Sequence, residues 1–255
     1  FMASVAFVRR RQPRAYHVTI LPSLGGDFTL ATGINDRGQV VGFSEVAQGT
    51  YHLFLWDREN GMRDLGLIDN THVHINNAGQ IAGTKVDPNG TARAFLWDPN
   101  GGMHLLDPLG AAHSRACAIN DRGQIVGNRW TGRHDSRAFL WDRAGGMRDL
   151  GPPDSGFRTA WDINNAGQVI VFAMSGTFLV RLDAQGAIET CDRLPTMGLA
   201  DINNYGRAGG VIETPTKKYS ASIWDPNAGL QHVSEDFFAP GITYMNDRGQ
   251  LAFSM

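Results

Sequence analysis

Gly33-Ile34-Asn35-Asp36-Arg37-Gly38-Gln39-Val40-Val41-Gly42 is a stretch that the chain repeats along its length. Five further copies begin at Ile75, Ile119, Ile163, Ile202 and Met245, and they read INNAGQIAG, INDRGQIVG, INNAGQVIV, INNYGRAGG and MNDRGQLAF. The repeated asparagines are 41, 44, 44, 39 and 43 residues apart. Copies at a period of about forty residues predict a repeat architecture.

The repeat spanning 113–151 contains four short β-prone segments, bounded by Gly, Asp or Asn. They predict strands over 115–119, 124–127, 137–141 and 147–150. In the turn between the first two, Asn120 caps backbone amides and Gly123 takes a positive φ, as in a tight hairpin loop. The repeated asparagines are therefore expected to be structural, although six of them could also form a polar ring.

Four-stranded antiparallel units at this period are typical of propeller blades. The last copy has only two strands, and residues 4–8 and 16–21 match the missing third and fourth strands. We therefore predict an all-β, single-domain, six-bladed β-propeller whose last blade takes strands from both termini, which removes open sheet edges. The predicted blade cores lie near 29–65, 71–106, 115–150, 159–191, 198–233, and 242–255 with 4–21. An open solenoid is the alternative, but it would need polar capping repeats.

The composition excludes some classes of partner. The formal net charge of −2 and the pI near 6.5 give no reason to expect nucleic acid or an anionic membrane. No apolar run is long enough to predict a transmembrane segment. Residues 1–7 are apolar but short and precede Arg9, Arg10 and Arg11, so this sequence shows no signal peptide. We expect a monomer.

Four motifs, GINDRGQVVG, RAFLWD, GGMRDLG and YHVTILPSLGG, together resemble the HAF repeat family of bacterial proteins, described as probable extracellular repeats. The resemblance covers nearly the whole chain. It implies a β-propeller-like fold and an extracellular or periplasmic location, and it implies no activity. The fourth repeat departs from the pattern, with Val180-Arg181 in place of Trp-Asp and Val171 in place of a glycine.

The candidate site residues lie on the first strand of each repeat, which we expect to line the axis. Residues two apart share a face of a strand, so positions two and four before the repeated asparagines should bring polar side chains together. This set contains His72, His74, Asp162, Asp201 and Tyr244, with Arg115, Arg158 and Trp161 nearby. Such groups suit a polar ligand, a metal or acid–base chemistry. In the alternative interpretation, the aspartates only bind backbone amides and the histidines are solvated.

The connections between strands two and three, over 44–51, 85–92, 128–136, 173–177 and 213–220, vary in length and content. Since loops on a rigid scaffold often bind ligands, this face is the predicted binding face. Trp130 lies in one of these connections and is a candidate for stacking on a ligand. The tryptophans repeated at one blade position are expected to pack in the core, namely Trp56, Trp97, Trp141 and Trp224.

Two functional classes follow from these residues. The first is a non-catalytic recognition propeller that binds a carbohydrate, small molecule or protein through the variable face and the channel mouth. The second is an enzyme of hydrolase, lactonase or lyase type with a polar pocket at the axis. The sequence has no phosphate-binding loop, no nucleophile elbow and no zinc-type cysteine pair. It assigns no metal and no cofactor.

Overall fold

A computed structural model of the chain describes residues 18–68, 73–107, 113–132, 135–152, 154–214, 218–233 and 243–253. These residues form β-strands, turns and bends, and no α-helix. It follows that these ranges contain no helix able to cross a membrane.

The strands of the first three repeats form three four-stranded antiparallel sheets, which we call blades one to three. Blade one contains β1 (Thr29–Ile34), β2 (Val40–Ala47), β3 (Thr50–Asp57) and β4 (Gly61–Leu67). Blade two contains β5 (His74–Ile75), β6 (Ile81–Val86), β7 (Ala92–Asp98) and β8 (Gly102–Leu105). Blade three contains β9 (His113–Ile119), β10 (Ile125–Gly132), β11 (Asp135–Asp142) and β12 (Gly146–Asp149).

Blades four and five repeat this arrangement, and the last repeat forms a two-stranded sheet. Blade four contains β13 (Phe157–Ile163), β14 (Gln168–Ala173), β15 (Gly176–Leu182) and β16 (Ile188–Arg193). Blade five contains β17 (Leu199–Ile202), β18 (Ala208–Glu213), β19 (Tyr219–Asp225) and β20 (Gly229–His232). The two-stranded sheet contains β21 (Thr243–Met245) and β22 (Leu251–Phe253).

The predicted four-stranded antiparallel meander is confirmed, because sequential strands pair in every sheet. Two of the predicted connections between strands two and three, over 44–51 and 128–136, are shorter in the structure, because β2 runs to Ala47, β3 starts at Thr50, and β10 and β11 extend to Gly132 and Asp135. In blade three, β10 continues to Gly132 and pairs with β11 from Asp135 onward, so Trp130 is a strand residue opposite Ser136. The strands extend because their backbone groups find partners across the hairpin.

The predicted closing strands differ from the structure where the structure describes them. Residues 4–8 and 16–17 lie outside the described residues, and residues 18–21 form no strand. The side chains of Val18 and Ile20 are 88% and 90% exposed. A strand requires a hydrogen-bonding neighbour, and the described residues supply none for this segment.

The repeated asparagine has two structural roles. In blade two, Asn76 Oδ1 accepts hydrogen bonds from the Ala78 and Gln80 backbone amides, at 3.0 and 2.9 Å. Gly79 closes the turn at φ 81°. The Asn76 side-chain amide also donates to the Asn120 carbonyl of blade three at 3.0 Å. The same bond between consecutive repeats starts from three other asparagines, Asn35, Asn164 and Asn203. The asparagines therefore cap their own turns and link one repeat to the next.

A β-bulge recurs on the first strand, three residues before the repeated asparagine. The register of the strand pairing skips four residues, Thr32, Cys117, Trp161 and Ala200. The bulge brings a carbonyl of the first strand against the last glycine of the repeated motif. A Cβ on Gly127 would collide with the Arg115 carbonyl, and a Cβ on Gly42 would collide with that of Leu30. These glycines are required by this close approach of two backbones.

The hydrophobic core consists of clusters shared by consecutive blades. One joins blades one and two around Leu53, Ile81 and Phe95, and another joins blades two and three around Ile125 and Phe139. A third joins blades four and five. Three of the repeated tryptophans pack against these clusters, as predicted: Trp97, Trp141 and Trp224. Blades one to three belong to one compact unit, and the later sheets belong to a second.

Candidate functional site

The predicted site residues fall into two groups, one in each compact unit. Arg115 and Trp130 belong to blade three, and His74 is half-buried on β5. The second unit contains five of them, Arg158, Trp161, Asp162, Asp201 and Tyr244. His72 lies outside the described residues. We call the second group the acidic–aromatic cluster.

Two bulges shape the first strand of blade four. The pairing of β13 with β14 shifts once around Arg158 and again around Trp161. Blades one, three and five each have a single shift on the first strand. Blade four is also the one in which Val171 stands in place of the repeated glycine, and Val171 is fully buried. We attribute the additional bulge at Arg158 to the room that this side chain needs, because a bulge bends its strand.

The bulge at Trp161 interrupts the alternation of side chains along β13. Trp161, the residue at this bulge, is 47% exposed. Ala160 and Ile163 on the same strand are buried. The sequence departure at Val171 therefore coincides with an exposed indole.

Asp162 and Asp201 connect three consecutive first strands through backbone amides. Asp162 accepts a hydrogen bond from the Ile163 amide on Oδ1 and another from the Ile202 amide of blade five on Oδ2, both at 2.8 Å. Asp201 Oδ2 accepts one from the Met245 amide of β21 at 2.6 Å. Both aspartates therefore accept hydrogen bonds from backbone amides, as the alternative interpretation of the sequence expects.

The pKa of Asp201 is strongly raised by burial and by its position beside Asp162. Loss of solvent, the negative charge of Asp162 and a hydrogen bond with the Asp162 side chain raise the pKa of Asp201 to about 9. The backbone amides of Met245 and Ile202 act in the opposite direction and do not offset this rise. Two adjacent carboxyl groups seldom both ionise. At neutral pH, Asp201 therefore holds a proton.

Tyr244 completes the cluster from β21. Burial of the phenol, followed by the charge of Asp201, raises the pKa of Tyr244 above its ordinary value. The residue is nevertheless 42% exposed, so a dissolved molecule can reach it. The cluster offers a carboxyl donor, a carboxylate acceptor, a phenol and an indole. In the described part of the chain, no three His, Cys, Asp or Glu side chains are grouped to hold a metal ion.

Blade three contains a different cluster, which sequence reasoning recognised only in part. Arg115 lies over the ring of Trp130, with its guanidinium carbon 5.5 Å from the ring centroid. His113 meets the edge of the same ring, with centroids 6.3 Å apart. His113 was missed, although it lies two residues before Arg115 on β9 and therefore on the same face. We call these three residues the blade-three cluster.

The sequence did not predict the bulges themselves, because no repeated residue type marks them. Thr32 shows what this position does in blade one. Its hydroxyl donates to the Val73 carbonyl at 3.0 Å, across to the next repeat. A bulge depends on strand pairing, which appears only once the sheet is assembled.

No protein-family model matches the chain, and no curated protein sequence is significantly similar to it. Solved structures are similar in fold. TolB from Acinetobacter baumannii superposes with a TM-score of 0.57 at 11% identity, over 90% of this chain and 55% of that one. This chain thus spans about half the length of that protein.

Two further structures broaden the comparison. The β-propeller domain of the trilobed protease from Pyrococcus furiosus gives a TM-score of 0.58 at 11% identity, over 85% of this chain and 70% of that chain. A gluconolactonase from Xanthomonas campestris gives 0.53 at 10% identity, over 91% of this chain and 89% of the other. At such identities the likeness concerns the fold alone. With the blades described above, it shows that this chain has a β-propeller fold.

Proposed function

We propose that this chain is a recognition propeller that binds a carbohydrate through the acidic–aromatic cluster. The observation that carries the proposal is the exposed indole of Trp161, which directly precedes Asp162 on β13, together with Tyr244, which is exposed close to Asp201. A packed scaffold does not need an exposed indole and phenol next to a half-buried carboxyl pair. Binding sites commonly combine aromatic surface with a few fixed polar groups.

The chemistry of the cluster matches a ligand rich in hydroxyl groups. A hydroxyl both donates and accepts hydrogen bonds, and the protonated Asp201 and charged Asp162 provide one group of each kind. The backbone amides of Ile202 and Met245 hold the two carboxyl groups in place. The exposed indole of Trp161 supplies apolar surface for the carbon face of a sugar ring.

A glycan array followed by calorimetry of the best-binding oligosaccharide tests this proposal. We expect Trp161→Ala and Asp162→Asn each to weaken binding by about tenfold or more, the loss typical of an interface anchor. Tyr205→Ala is the matched control, because Tyr205 is 73% exposed in the same unit but lies in a turn outside the cluster. Equal affinity of wild type and Trp161→Ala would refute the site.

A second candidate function, catalysis by the same cluster, is favoured by one observation. A carboxyl group that keeps its proton beside an ionised one is the pairing used in general acid–base catalysis. Asp201 would then act as the acid and Asp162 as the base, on a lactone or glycoside.

Mass spectrometry of the bound oligosaccharide after incubation with the protein separates the two functions. A recognition protein returns the ligand unchanged. An enzyme converts it, and Asp201→Asn then abolishes the conversion while binding persists.

We also propose the number of blades, the family, the location and the oligomeric state of the protein, and the sequence motifs support these proposals. The six repeated copies and their even spacing support a six-bladed ring in which residues 4–8 add a strand to the sheet of β21 and β22. The four quoted motifs support membership of the HAF repeat family and, with it, an extracellular or periplasmic location. The chain would act as a monomer. Cell fractionation of the native protein tests its location, and light scattering tests its oligomeric state.

A further inference from the structure

The blade-three cluster has a composition that packing does not require. In blade one the corresponding end of the sheet is filled by aromatic side chains, with Phe28 against Phe43 and Tyr51 at 6.1 and 6.0 Å. In blade four, Phe157 packs against Phe178 at 5.8 Å. Blade three instead places His113 and Arg115 there, and both are exposed.

Arg115 differs from the other arginines of its sheet. Arg129 forms an ion pair with Asp149 at 2.7 Å, and Arg137 reaches the same carboxylate at 3.5 Å. Arg115 makes no ion pair with any residue that the structure describes. A guanidinium held on an indole keeps its N–H edge available for a planar oxyanion.

His113 adds a donor of fixed direction. Its Nδ1 accepts a hydrogen bond from the Ala92 backbone amide at 3.0 Å. The ring proton of the neutral imidazole is therefore on Nε2. Because His113 pairs with Trp130, and Arg115 with Asn128, on adjacent strands, all of these side chains share one face of the sheet.

We propose that His113, Arg115 and Trp130 form a ligand site for a carboxylate carried on a small ring. Arg115 binds the carboxylate through two N–H groups, His113 Nε2–H donates to it, and the indole contacts the ring. The site goes beyond the proposed function, because it uses other residues in the other compact unit and selects a charged group. A uronic acid residue and an aromatic acid both present this chemistry.

Calorimetric titration of the full chain tests the proposal with three probes: digalacturonate, its neutral counterpart digalactose, and benzoate. We expect at least one carboxylate probe to bind about tenfold more tightly than digalactose, because the charge-assisted hydrogen bonds to Arg115 are lost with the neutral sugar. Binding of digalacturonate alone identifies an acidic sugar as the ligand class, and binding of benzoate alone identifies an aromatic acid.

Matched variants locate the site. Arg115→Gln should weaken carboxylate binding about tenfold. Arg129→Gln removes the same charge from the opposite face of the sheet, so it should change carboxylate binding by less than about twofold. Benzoate carries no sugar hydroxyl groups, so its binding reports on this site independently of the proposed carbohydrate site. In spectra of indole-labelled protein, the Trp130 resonance, assigned by its absence in Trp130→Phe, should shift with the carboxylate probe. Equal binding of charged and neutral probes, no binding of either carboxylate, or equal losses in Arg115→Gln and Arg129→Gln would overturn the proposal.

Discussion

At the scale of single residues, Asp201 couples the fold to pH. Its pKa of about 9 in the folded chain lies far above the ordinary value of 3.8. Between these two values the unfolded chain releases the proton and the folded chain keeps it. The folded state then binds more protons, so the free energy of unfolding falls as the pH rises. Below this window both states are protonated, and above it both are ionised.

Replacing Asp201 with Asn should remove this dependence, because Asn does not titrate. We expect the stability of the wild type relative to Asp201→Asn to fall with rising pH between pH 5 and 8, by up to about 1.4 kcal/mol per unit. Urea unfolding of both proteins at several pH values measures it. Parallel profiles would show that Asp201 ionises normally in the folded state.

The repeated asparagine supports a second prediction at the residue scale. Asn76 is buried, and it satisfies two backbone amides of its own turn as well as the Asn120 carbonyl. Asn76→Ala leaves these groups without partners, so we expect a loss of about 3 kcal/mol in unfolding free energy. Asn100→Ala is the control, since Asn100 is exposed and uses only its backbone amide in a turn. A loss of similar size in both variants would contradict the linking role.

At the scale of the element, the bulge and its glycine act together. Gly127 faces the Arg115 carbonyl so closely that a methyl group cannot be accommodated, whereas a Cβ on Gly132 of the same strand meets no atom within 4 Å. We expect Gly127→Ala to cost about 3 kcal/mol and Gly132→Ala to change stability by less than about 0.5 kcal/mol. Thermal or urea unfolding of the two variants checks this. An unchanged stability of Gly127→Ala would contradict the prediction and would show that β9 can move away from Gly127.

Blade four shows how the same element yields a site. Val171 replaces the glycine, β13 bulges at both Arg158 and Trp161, and the indole is exposed. The sequence indicates the departure at Val171 and also proposes Arg158 and Trp161 as site residues. It does not show that the register shifts at these two residues, because the shifts depend on the pairing of β13 with β14.

At the scale of the whole molecule, the proposed closure predicts the effect of a deletion. If residues 4–8 add a strand to the last sheet, removing residues 1–17 leaves the edge of β22 unpaired. We expect a lower melting temperature and a greater tendency to aggregate. Circular dichroism melts and light scattering, compared with the full chain, measure both. An unchanged melt would contradict a closing role for this segment.

The sequence by itself determined the repeat, the antiparallel meander and the turns. Local chemistry specifies these features, since Asn76 and Gly79 build their hairpin from groups within five residues. Only the tertiary structure decided which side chains meet. Asp162 reaches the Ile202 amide 40 residues away, and His113 reaches Ala92 in the preceding blade. The raised pKa of Asp201 and the exposed Trp161 follow from such contacts, which arise only when separate strands pack and exclude solvent.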